Sequence, residues 1–517
     1  MHRCLPALIA VTGTFLCCGL PVYAQDDGAS PLITEPTSIE GLFDAAVLMM
    51  DLDRPGLARK YLSQVMDLSP TDADILQMRD KHGPAVFLEM ANDRRLQPLS
   101  ATLLTQMNDA FRRFANDPNR IDRLIADLEG TPQKRAIAMA QLRNAGAAAI
   151  PRMLQLLNTD TVSRDSVVFA MTRMGRHIVP ALLGAIDSPS GKASTAAVDA
   201  LGFLRSEDSV PWLWYPAFGP TSNPGLQQAA KASLARILLN DANRIDEVSS
   251  YEAINQLQKI ALTHLRNESE WPVDDEGNVA YWAWSPANNI LQAWRVKPRT
   301  ASLLTASRMG RQALSMSPER RDLQSLYLSI RFAWDVEQAG WDNPLPTGQG
   351  SAHDLALLTG PDVALDALSS SLKHPVPSSA YAALQVLAQI GNRRQLLMAD
   401  STASPIIQAL NHPDPRIQFA AASTVLQLDP DTPFRGSTRV VSILTRALND
   451  SGERRALAID PSEERAATTA AQLGQLSYAP LIAKTGQEGF TLASERGDVG
   501  LIVIHAACIR WGLDQTL

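Results

Sequence analysis

Cysteine is nearly missing from this chain, and three of its four cysteines, Cys4, Cys17 and Cys18, stand close to the first residue. Once an N-terminal leader is removed only Cys508 is left, and a single thiol cannot close an intramolecular disulfide. Stability then rests on packing, which 517 residues at 45% hydrophobic content can supply. A dominant charge is missing too: 47 Lys and Arg stand against 54 Asp and Glu, a net charge of -7. No long basic stripe tracks a phosphate backbone, which excludes nucleic acid as the expected partner. There is no His-Glu-x-x-His, no Cys-x-x-Cys, no Gly-x-Ser-x-Gly elbow and no glycine-rich phosphate loop, and the histidines are scattered singly. Metal, nucleophilic and nucleotide chemistry therefore lack their usual starting points, so no cofactor, no metal and no catalytic residue is expected.

What is present begins with an address. His2 and Arg3 precede a mostly apolar Leu5 to Leu20, and Val22-Tyr23-Ala24 offers small residues before Gln25-Asp26-Asp27. Residues 1–24 read as a signal peptide cut after Ala24, which places the mature chain in the periplasm or at the cell surface. Thr12, Gly13, Thr14 and Pro21 interrupt the apolar stretch and leave it short for a membrane span. Phe15-Leu16 before Cys17 lacks the small residue that lipid attachment favours. Residues 25–40, rich in Pro, Ser and Thr, read as a flexible spacer.

The strongest signal is a phrase repeated at one interval. Ser371-Leu372-Lys373, Ala409-Leu410-Asn411 and Ala447-Leu448-Asn449 each close an apolar helical stretch, 38 residues apart. The first two run into His374-Pro375-Val376-Pro377 and His412-Pro413-Asp414-Pro415, and then into alanine-rich helices at Tyr381-Ala382-Ala383 and Phe419-Ala420-Ala421. Such a period marks stacked helix pairs, because one pair alone cannot bury its apolar face. The recurring histidines fall at equivalent turns one repeat apart, too far to share an ion.

A second register, spaced by 29, aligns Ile150, Met153, Leu154 and Leu157 with Val179, Leu182, Leu183 and Ile186, at i, i+3, i+4 and i+7. Pro151 and Pro180 suit a first helical turn, where the missing N–H is not needed. Gly146 and Gly175 sit at the preceding turns, and a further unit follows with Leu201-Gly202 and Val210-Pro211-Trp212. Both arrays, 131–270 and 351–452, resemble HEAT repeats. Within 41–130, Leu42-Phe43-Asp44-Ala45-Ala46, Arg54 to Leu62 and Leu68-Ser69-Pro70 resemble one tetratricopeptide unit. The resemblance implies a mainly α fold, a right-handed α-α superhelix or HEAT-like solenoid.

Residues 271–289 break the helical rhythm, and the alternation from Trp271 to Trp284 predicts a β-hairpin around the acidic turn at Asp274-Asp275-Glu276. Those acids lack the alternating spacing of a calcium loop and read as a solvated turn. Trp271, Tyr281, Trp282 and Trp284, with Trp294 nearby, form the candidate partner-binding patch. Exposed, they stack on a ligand; buried, they cap the helical stack. Residues 290–350 read as two helices, Ala301 to Leu314 and Leu323 to Trp334, then a loop from Gly340 to Gly350.

Residues 453–517 change character. Strands at Arg455 to Asp460, Ala479 to Ala483 and Val499 to Ile504 alternate with helices at Ser462 to Leu476 and Gln487 to Ser494, the opening of a doubly wound α/β unit. Here the chain resembles part of a response-regulator receiver domain. That resemblance implies an acidic pair and a phosphoacceptor. Asp460 matches one acid, Pro461 stands in the other's place and His505 in the acceptor's, so the unit reads as degenerate and non-phosphorylated. A further HEAT helix from Asp460 to Gly474 is the competing reading.

Together these features point to a non-catalytic, exported helical-repeat scaffold for an unidentified protein or peptide. One alternative is a signalling protein whose receiver-like end is read out by the repeats. Another is an enzyme whose site the sequence does not display.

Overall fold

The computed structural model describes residues 31–396, 403–430, 434, 436–448, 454–496, 498–508 and 511. The expected signal peptide at 1–24, the first part of the expected spacer, Asn449 and Leu517 lie outside these residues. The chain divides into two compact units, residues 1–124 and 125–517.

The first unit holds α1 (Ile39–Asp51), α2 (Pro55–Asp67), α3 (Asp72–His82), α4 (Pro84–Asn92) and α5 (Leu99–Ala115), and α6 (Pro118–Asp127) crosses the boundary. Phe43, Ala46, Met49, Ala58, Tyr61 and Leu62 are fully buried where α1 meets α2. A capping box opens α3: the Thr71 hydroxyl accepts from the Asp74 N–H while the Asp74 carboxylate accepts from the Thr71 N–H.

The second unit starts with hairpins that follow the 29-residue register. α7 (Pro132–Ala145), α8 (Ile150–Asn158), α9 (Arg164–Met174), α10 (Val179–Ala185), α11 (Gly191–Leu204), α12 (Val210–Phe218) and α13 (Pro224–Leu238) succeed one another. α7, α9, α11 and α13 pack side by side as first helices, and each second helix also packs on the first helix of the next hairpin. Ile150, Met153, Leu154 and Leu157 are buried, as are Val179, Leu182 and Ile186, while Leu183 is partly buried, so the stripe inferred from spacing is the packing stripe but for that one position. Gly146 and Gly175 end α7 and α9 with φ of 63° and 98°, where a side chain would be strained.

α14 (Ala253–Leu265) and α15 (Pro298–Met316) pair with each other, and the β-hairpin enters between them. Its strands are β1 (Val279–Ser285) and β2 (Ile290–Val296), antiparallel, with Tyr281 opposite Trp294. The hairpin thus turns at residues 286–289, not at the acidic segment. Asp274 instead folds a local turn before β1, its carboxylate accepting from the Glu276 and Asn278 N–H groups. Pro286 and Asn289, whose φ is 52°, supply the tighter turn chemistry. β1 packs on α10, and β2 on α8 and α10.

α16 (Arg321–Ala339), α17 (Ala352–Thr359), α18 (Pro361–Lys373), α19 (Pro377–Ile390), α20 (Pro405–Ala409), α21 (Pro415–Leu428) and α22 (Ser437–Leu448) form the second array. α16, α19 and α21 adjoin one another, and the repeated phrase closes α18, α20 and α22. Pro377 and Pro415, 38 residues apart, each open a first helix. A buried hydroxyl bridges the neighbours: Thr424 donates to the Leu384 carbonyl at 3.0 Å. Ser233 does the same to Val198 in the first array, also at 3.0 Å.

The last segment is α/β, as the alternation of strands and helices predicts. β3 (Arg455–Ile459), β4 (Ala479–Ala483) and β5 (Val499–Ile504) form a parallel sheet in the order β4-β3-β5. α23 (Glu463–Gln475) sends Leu473 against Ala456 and Ala458, whereas Leu457 and Ile459 pack with Leu492 and Ala493 of α24 (Gly486–Glu495). This alternation along β3 places the two helices on opposite faces. The competing reading places a HEAT helix over Asp460 to Gly474; a helix does stand there, α23, but it packs on the parallel strands β3 and β4.

Candidate functional site

The tryptophan-rich insertion is largely packed. Trp271 donates its indole N–H to the Ser302 hydroxyl at 2.9 Å, and its ring lies 5.6 Å from that of His264. Trp271, Tyr281, Trp282 and Trp284 are each partly buried, and Trp294 is the exposed member. Burial raises the Tyr281 phenol above its usual range. Arg308, almost fully buried, stacks 4.5 Å over Trp212 and pairs with Asp187 at 2.8 Å beside the hairpin.

A better-formed concavity lies on the first-helix face of the first array. The groove, about 670 Å³, is walled by Leu128, Arg135, Arg164, Phe169, Thr172, Asp199, Phe203 and Arg236. Phe169 and Phe203 are 45% and 54% exposed, although large apolar side chains normally turn inward. Each carries a guanidinium on its ring, Arg173 at 5.2 Å from Phe169 and Arg236 at 4.1 Å from Phe203. Arg164 pairs with Asp199 across α9 and α11, and Arg135 donates to the Leu128 carbonyl at 2.8 Å.

Helix geometry produces this face. Val167, Val168, Ala170, Met171 and Met174 already fill the inner side of α9, so Phe169 falls on the outer side with Thr172 and Arg173. The apolar spacing used to find the helices excludes such residues, and so missed them. The available signal was a phenylalanine out of phase with its stripe, 34 residues from another out-of-phase phenylalanine.

The second array repeats the chemistry in a smaller pocket of about 320 Å³, lined by Trp341, Tyr381, Arg416, Phe419 and Arg446. Arg416 stacks 3.8 Å over Trp341 while its fork grips Asp414 at 2.8 and 3.1 Å. Tyr381 and Phe419 occupy equivalent positions of α19 and α21, so the period that builds the core also carries an aromatic row.

At the C-terminal ends of β3 and β5, Asp460 accepts a bidentate contact from Arg465 at 2.8 and 3.1 Å and the Ser462 N–H at 2.8 Å. Arg465 holds the carboxyl below its ordinary range. His505 Nδ1 accepts the Ala507 N–H at 3.1 Å. His412 Nδ1 accepts the Asp414 N–H at 3.0 Å, and His374 follows the last residue of α18. Among the described residues no group of three or more His, Cys, Asp or Glu is placed to hold a metal, and no helix is long and apolar enough to cross a membrane.

Comparison with known proteins adds one finding. No curated protein and no solved structure matches the chain. Residues 359–460 match the family of HEAT repeats, whose span runs from the end of α17 through β3. The match thus covers α18 to α22 of the second array, within a mainly helical chain.

Proposed function

We propose that this protein is a non-catalytic, exported helical-repeat scaffold that holds a protein or peptide on the first-helix face of its arrays. HEAT repeats suit interaction scaffolds, and their match supports this reading. The observation that carries it is the groove of Phe169 and Phe203: two exposed rings on neighbouring helices, in a concavity of about 670 Å³. Aromatic anchors with arginine beside them are the usual energetic centre of a protein interface. Export rests on residues 1–24, and a tetratricopeptide-like unit at 41–130 would add a further binding surface.

Panning a random peptide library on the purified chain tests the reading. Enrichment of a shared motif by the wild type, lost in a folded Phe169→Ala, Phe203→Ala double variant, is the expected result. Equal enrichment by both proteins would remove the groove as the binding site.

A signalling role for the receiver-like end is the second reading, favoured by the parallel order β4-β3-β5. Against phosphoryl transfer stands the Arg465 fork on Asp460, which occupies both carboxylate oxygens that would otherwise serve a divalent cation.

A further inference from the structure

The groove contains a cation seated where the backbone makes room for it and, among the described residues, paired with no acid. Arg236 leaves α13 and lies across α11, where Gly202 makes room: a Cβ at Gly202 would stand 2.7 Å from Arg236 Nη1 and 2.4 Å from the Ser233 hydroxyl. Its guanidinium rests on Phe203, and its Nη1 is buried without a hydrogen-bond partner among the described residues. The neighbours are otherwise engaged: Arg164 holds Asp199, and Arg135 binds backbone carbonyls of Leu128 and Gly130. Burial, and after it the positive charge of Arg205, pulls the Arg236 guanidinium below its usual value. The surrounding segment leans the same way: residues 125–240 hold eleven Lys and Arg against eight Asp and Glu, in a chain of net charge -7.

We infer that Arg236 anchors a carboxylate, and that the groove takes an acidic peptide whose apolar side chains settle on Phe169 and Phe203. The inference rests on the groove being the partner site and names the partner's chemistry. Nη1 is shut in against Gly202, and Arg236 still lines the groove, where a guanidinium presents its other N–H groups as a planar fork, the geometry that grips a carboxylate with two parallel hydrogen bonds. Little side-chain freedom is lost on binding, because Phe203 and Gly202 already fix the arginine. The Asp165 and Asp199 carboxylates also line the groove. They repel a continuous phosphate backbone, whereas a peptide can space its acids to avoid them, so a peptide fits the charge pattern and a nucleic acid does not.

The test uses fluorescence anisotropy on the full chain with two short labelled peptides, one repeating Asp-Leu-Glu-Phe and the other its uncharged counterpart Asn-Leu-Gln-Phe. The acidic peptide should bind about tenfold more tightly at low salt, and the advantage should shrink as salt rises. Arg236→Gln should abolish the advantage with an unchanged melting curve, and Arg236→Lys should retain part of it. If Arg236→Gln fails to fold, Arg236→Lys and the salt series decide: an advantage unaltered by both overturns the anchor. Equal binding of the two peptides to the wild type overturns the anchor and leaves the groove reading standing. Binding of neither overturns both, and preference for a single-stranded oligonucleotide over the acidic peptide overturns the peptide assignment.

Discussion

Gly184 of α10 lies directly beneath the main chain of Trp282, so close that a Cβ at residue 184 would stand 2.6 Å from the Trp282 carbonyl oxygen and 3.0 Å from Leu291. The insertion is therefore keyed onto the repeats at a position that only glycine can occupy. Gly184→Ala must lift the hairpin from α10 and should lower stability by about 1–3 kcal/mol, the range for forcing atoms into a packed interface. Tryptophan fluorescence during thermal unfolding would report it. An unchanged melt would mean that the hairpin does not contribute to the core.

The buried bond from Thr424 to the Leu384 carbonyl ties two first helices together. Thr424→Val keeps the shape and removes the donor. The expected cost is about 1 kcal/mol, read from denaturant midpoints, with no change in denaturant slope because the same surface stays buried.

His264 supplies a pH dependence with a definite sign. Burial beside Trp271 lowers its imidazole from 6.5 to about 4. The folded chain thus holds the ring neutral while the unfolded chain takes up a proton between these values. Its contribution is complete above pH 6.5 and is lost as pH falls towards 4. With allowance for partial solvent access, the loss is about 1–2 kcal/mol. A pH series of melts on wild type and His264→Phe should differ in slope only within that window; parallel curves would refute the assignment.

Phe203 separates binding from folding. It is half exposed, so Phe203→Ala should change stability by less than about 1 kcal/mol while weakening any groove ligand by tenfold or more. Circular dichroism with peptide titration distinguishes the two. A large drop in stability with intact binding would make Phe203 a core residue.

Asp460, gripped by Arg465, should not become phosphorylated. Incubation with acetyl phosphate and Mg²⁺ is expected to leave the intact mass unchanged. A gain of one phosphoryl group that Asp460→Asn or His505→Ala removes would revive the signalling reading.

Much of the fold was written locally. Pro151, Pro180, Pro377 and Pro415 mark helix starts because a first turn does not use the proline's absent N–H, and Gly146 and Gly175 mark turns because their φ is positive. The apolar run at Val499 to Ile504, rich in β-branched residues, disclosed β5 for a similar reason. The β-hairpin register was less legible: the acidic segment at Asp274 to Glu276 does form a turn of its own, and only pairing across the strands places the reversal at residues 286–289.

The sequence by itself determined the two repeat periods, the packing stripes and the strand order along the chain, because each depends on neighbours within a turn or a strand. Only the tertiary structure decided what lies outside the stripes. Phe169 and Phe203 stand 34 residues apart and share a groove because α9 and α11 stack, and Arg236 reaches Phe203 because Gly202 opens a path from the next helix. Residues that pack repeats obey a period, whereas residues that face outward are set beside one another by the stacking of whole helices, which no local spacing encodes.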